Sequence, residues 1–104
     1  MRNLIIALLF TTFGFGQEIT IVHFNYKWND QNAYRKLDRL RNVKVQYAFV
    51  EDQADIIKRS IKSVPVIQIY RNGKPVLRYE AGLRMRIEKS VQDIQADIDS
   101  LIVQ

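Results

Sequence analysis

Few side chains in this sequence are equipped for chemistry. His23 is the only histidine, Trp28 is the only tryptophan, and the 104 residues include no cysteine. A histidine titrates near neutrality and suits general acid–base work. His23, however, sits in an apolar run with no candidate nucleophile beside it, and a neutral, hydrogen-bonded core histidine is the reading favoured. Without cysteine there is no disulfide, no thiolate metal ligand and no thiol nucleophile. One histidine cannot build a histidine-rich metal site. No dyad, metal cluster or phosphate loop is found, and no cofactor is expected.

Asn29 and Asn32 follow Trp28 at the start of an expected helix. An asparagine there either caps the helix or hydrogen-bonds a ligand at its N-terminus. Both readings stand for Asn29, and capping is favoured for Asn32. The net charge of +5 comes largely from Arg35, Lys36, Arg39, Arg41, Lys44, Lys58, Arg59 and Lys62. A nucleic-acid surface needs such charge in phosphate-directed spacing. Asp38 interrupts the set, so a solvated face is the reading, and no nucleic-acid partner is expected.

The elements that must position these residues follow from patterning. Residues 18–26 read as a strand, apolar at Ile19, Ile21, Val22 and Phe24, and suited to a central place covered on both faces. A helix is predicted from Asn29 or Asp30 to about Leu40, with Tyr34, Leu37 and Leu40 on one side. Residues 43–50 alternate as a second strand, and a short helix runs through Ala54, Ile57 and Ile61. Two β-branched and aromatic runs, 63–70 and 75–79, flank Asn72-Gly73, a dipeptide that tolerates the positive φ of a two-residue hairpin turn. Pro65 opens the first run and is a plausible cis site. Pro75 marks the second as an edge. A last helix is predicted over 85–103, from the stripe Ile87, Val91, Ile94, Ile98 and Leu101.

The order β-α-β-α-β-β-α predicts an α/β domain, a four-stranded mixed sheet with helices on both faces. Residues 1–16 read as a secretory signal peptide. Arg2 precedes the apolar run 4–10, and Gly14 and Gly16 place small residues before a cleavage site at Gln17. A buried N-terminal strand or an interfacial helix is the competing reading. The expected domain is then 17–104, exported to a periplasmic or extracellular location, with no stable membrane span once the leader is cleaved.

Three pieces of the chain resemble the thioredoxin family. Residues 24–28 followed by Asn29-Asp30-Gln31-Asn32 are similar to its aromatic strand end and Trp-Cys-Gly-Pro-Cys motif. Ser63-Val64-Pro65 with Tyr70-Arg71-Asn72-Gly73-Lys74 is similar to its cis-proline and hairpin. Ala81-Gly82 is similar to the segment before its last helix. The resemblance implies a thioredoxin-like fold over roughly 19–102. It also places Asn29 and Asn32 at the two redox-cysteine positions, and His23 where many relatives keep a buried acid. Thiol–disulfide exchange needs a thiolate, so the fold is implied while the family's oxidoreductase chemistry is not. By the same resemblance, Trp28, Asn29, Val64, Pro65, Gly82 and Leu83 border a groove for a protein or extended peptide. A polypeptide-binding module is therefore the expectation. The alternatives are a structural subunit of a larger assembly and, more weakly, an enzyme of non-thiol chemistry.

Overall fold

In the computed structural model the structure describes residues 18–102. The expected signal segment therefore lies outside the described residues. Strands β1 (Ile19–Asn25), β2 (Lys44–Phe49), β3 (Val66–Arg71) and β4 (Lys74–Glu80) form one four-stranded sheet in the order β2-β1-β3-β4. β1 runs parallel to β2 and antiparallel to β3, and β3 and β4 form the hairpin. Every residue of β1 is buried, as expected of a central strand with apolar residues at both parities. Its odd positions Ile19 and Ile21 join Tyr34, Leu37, Ile67, Ile69, Ile87, Ile94 and Ile98 in one core. Its even positions Val22 and Phe24 join Val50, Ile61, Val64 and Val66 in a second core on the opposite face.

The hairpin forms where Asn72-Gly73 allows it. Both residues take positive φ, 51° and 86°, and Arg71 pairs with Lys74 across the two-residue turn. Asn72 also ties the turn to the start of β1: its N–H donates to the Glu18 carbonyl at 2.9 Å, and its Oδ1 accepts from the Glu18 N–H at 2.9 Å. The Val64–Pro65 bond is cis. β4 is an edge strand, with Pro75 opposite Tyr70 and a register shift at Val76.

Two helical expectations are corrected. The segment after β1 is not one α-helix to Leu40 but two 3₁₀ turns, Lys27–Asn32 and Arg35–Arg39, separated by extended backbone at Ala33. The cause is a tertiary hydrogen bond. The Tyr34 N–H donates to His23 Nε2 at 2.9 Å instead of continuing a helical ladder. Ala33 meanwhile closes a tighter turn onto the Asp30 carbonyl. Asparagine at 29 and 32 has little helix propensity to oppose this. The short helix α1 spans Asp55–Ser60, and the last helix, α2, spans only Val91–Ile102. Met85, expected inside that helix, has φ 58°. The true start is Ser90, whose Oγ accepts the Asp93 N–H at 3.0 Å, an N-cap arrangement. Arg84, Arg86 and Lys89 thereby precede the helix rather than opposing its dipole from inside the first turn.

α2 and the second 3₁₀ turn cover the first core. α1 and the Val50–Asp52 turn cover the second. No helix among the described residues is long and apolar enough to cross a membrane.

Candidate functional site

The end of β1 and the 3₁₀ turn after it bring three asparagines, Asn25, Asn29 and Asn32, into one cluster. Asn25 and Asn29 are both buried. A buried amide is costly unless its polar atoms find partners, and here they do. Asn29 Nδ2 donates to Asn25 Oδ1 and to the Met85 carbonyl, each at 3.1 Å. Its Oδ1 accepts from Asn32 Nδ2 at 2.8 Å. Asn25 Nδ2 donates to the Asn29 carbonyl at 2.9 Å. Asn29 is thus a two-proton donor and an acceptor at the crossing of two chain segments. The bond to Met85 spans 56 positions of sequence and holds the loop before α2 against the turn after β1. Capping is not the role of either asparagine, since no side chain caps the Lys27–Asn32 turn.

Near this satisfied interior three large apolar side chains are exposed. Trp28 is 62% exposed and stacks on Tyr26, with ring centroids 5.8 Å apart and planes 13° from parallel. Leu83 is fully exposed and Met85 is 42% exposed. Leu83 lies with Gly82, Arg84, Arg86 and Glu88 along an open groove of about 590 Å³. Glu88 faces both Arg84, at 3.8 Å, and Arg86, at 3.5 Å, so one carboxylate is shared by two guanidinium groups and the trio keeps a net positive charge. A Cβ at Gly82 would meet no atom within 4 Å, so packing does not demand a glycine there.

The other expected groove residues lie deeper. Val64 is only 4% exposed and packs in the second core; Pro65 is buried as well. The expectation that Val64 presents itself at a surface is corrected: its side chain is needed between Phe24, Val50 and Val66. This segment is held to the Ala81–Gly82 side by Ser63 Oγ, which donates to the Ala81 carbonyl at 2.9 Å. The Ala81 N–H returns a bond to the Pro65 carbonyl at 3.2 Å. Sequence patterning does not mark Met85 as a surface residue, because the predicted helix range begins at it.

His23 is buried, and its Nε2 is occupied by the Tyr34 N–H. The ring is therefore neutral with the proton on Nδ1. Burial lowers its pKa to about 4; nearby Arg35 pushes the same way, while a backbone hydrogen bond and Asp30 oppose. With Nε2 taken by the Tyr34 N–H and burial disfavouring the charged ring, His23 serves the fold as a hydrogen-bond acceptor. It lines a cavity of about 100 Å³ together with Asn25, Asp30, Arg35, Tyr47 and Phe49. The Arg35–Asp30 ion pair, 2.9 Å, lies at that cavity. Burial and the hydrogen bond to Asp38 push the Tyr47 hydroxyl up to about 12. Among the described residues no group of histidine, cysteine, aspartate and glutamate could hold a metal ion.

The chain was compared with known proteins. No protein-family model matches it, and no curated protein matches it. Solved structures do. Thioredoxin-2, described as a component of malaria parasite protein secretion machinery, is similar over 86% of this chain and 89% of its own, with TM-score 0.60 and 17% identity. A designed protein is similar over 83% of this chain and 82% of its own, with TM-score 0.57 and 17% identity. At that identity the likeness concerns the backbone arrangement alone. With the β2-β1-β3-β4 sheet, its flanking helices and the Val64–Pro65 bond before the hairpin, it establishes that this chain has a thioredoxin-like fold.

Proposed function

We propose that this chain is an exported thioredoxin-fold protein that lacks disulfide oxidoreductase activity and binds an extended polypeptide. One observation carries the reading: Asn29, which the resemblance sets at a redox-cysteine position, donates to the Met85 carbonyl and so ties the loop that exposes Leu83 and Met85 to the turn that exposes Trp28. Exposed apolar clusters rimmed by polar residues mark interaction sites. Arg84 and Arg86, with one carboxylate between them, favour a segment that carries acidic residues beside its apolar ones. Backbone pairing beside the buried Val64 contributes less in this reading than contact with the three exposed side chains. A short segment buries little area and loses freedom on binding, so the dissociation constant is expected in roughly the micromolar range or weaker.

An NMR titration with a short apolar–acidic peptide tests this. Perturbed signals should map to Trp28, Leu83 and Met85. Trp28→Ala should weaken binding several-fold with the circular dichroism spectrum unchanged. Perturbations confined to the Arg35–Lys44 face defeat the reading. A second reading, a structural subunit, is favoured by the edge of β2, which has no further partner strand among the described residues.

A further inference from the structure

The two edges of the sheet are built differently. β4 carries Pro75, which has no N–H to offer, and an irregular register at Val76. Both are devices that blunt an edge against further pairing. β2 has neither. It runs in unbroken register beside β1 and has no other partner strand among the described residues. Its one charge, Lys44, stands at its first position and is paired with Glu18 at 2.6 Å. Val45, Tyr47 and Phe49 share one face of the strand, and Tyr47 and Phe49 are each 36% exposed. Arg39 and Arg41 precede the strand, and Glu51 and Asp52 follow it, all four exposed. An edge with a basic start, an apolar middle and an acidic end is complementary to its own inverted copy.

From this asymmetry we infer that β2 is a self-association edge, on which a second copy of this chain adds antiparallel across a two-fold axis at Tyr47. Alternate residues of an edge strand aim their N–H and C=O outward. Two-fold pairing therefore has to oppose residues of the same parity. An axis through Tyr47 does so. It sets Tyr47 against Tyr47 of the second copy and Val45 against Phe49 of the second copy, all on one face. Aromatic and β-branched cross-strand pairs are the stabilising kind. The same register brings the Arg41 end of each strand to the Glu51 end of the other. The two sheets become one, and both unblunted edges disappear. This inference stands apart from the peptide-binding reading.

The absence of cysteine from the chain makes the test direct. In Tyr47→Cys, mild oxidation of the full-length protein should yield mostly disulfide-linked dimer, because the two thiols meet at the axis. In Leu83→Cys, at a fully exposed position, only collisional background should form. Sedimentation velocity of the unsubstituted chain should show a concentration-dependent dimer. Tyr47→Lys, which opposes two ammonium groups, should raise its dissociation constant by about tenfold or more. Equal cross-linking of the two cysteine variants overturns the inference. So does a dimer indifferent to Tyr47→Lys, or a chain that stays monomeric throughout the concentration series.

Discussion

Asn32 Nδ2 donates to Asn29 Oδ1 at 2.8 Å, closing the first 3₁₀ turn with an amide hydrogen bond between two side chains three residues apart. The two partners are not equivalent. Asn29 is buried and serves Asn25, Asn32 and Met85, whereas Asn32 is half-buried.

Removal of Asn29 strands several polar groups, and each buried group left unsatisfied costs about 1–3 kcal/mol. Asn29→Ala is therefore expected to destabilise the domain by roughly 3 kcal/mol, and Asn32→Ala by about 1 kcal/mol. Urea denaturation measures both. Equal costs would show that the Met85 loop does not depend on Asn29.

The buried neutral His23 makes stability depend on pH. Its pKa is about 4 in the fold against 6.5 for the free side chain, so the unfolded chain takes up its proton first as pH falls. The stabilisation is complete above pH 6.5 and is lost progressively down to about pH 4. The loss amounts to about 3 kcal/mol in all. His23→Gln retains an acceptor for the Tyr34 N–H and removes the titration. The difference between the two stability profiles, followed by denaturation from pH 7 to pH 4, should narrow as pH falls. Parallel profiles would remove His23 as the cause.

Export is tested by mass. Protein recovered from its native host should lack residues 1–16 and begin at Gln17. The intact chain in the mature fraction would favour a retained anchor.

The strands were legible because their signals are local. The apolar run of β1 forces burial on both sides, and Asn72-Gly73 dictates its own turn. The segments read wrongly are those governed by a distant partner. Tyr34 looks helical until His23, 11 residues earlier, takes its N–H. Met85 reads as the first residue of the last helix until Asn29, 56 residues away, holds its carbonyl in a loop. Ser90 followed three residues later by Asp93 is the local signal that could have placed the real helix start. Ile87 is buried all the same, from the loop. At the candidate site Trp28 and Leu83 are exposed, as single-residue patterning could not have shown. Val64 departs from the groove drawn from the resemblance because a valine between two apolar strands is worth more in the core.

The amide clasp also fixes how this domain meets its surroundings. A cysteine pair would open and close with the local glutathione poise, and any surface resting on it would follow. The bonds from Asn29 to Asn25, Asn32 and Met85 exchange no electrons. The hold of Asn29 on the Met85 loop is thus the same in a reducing cytosol and in an oxidising exterior.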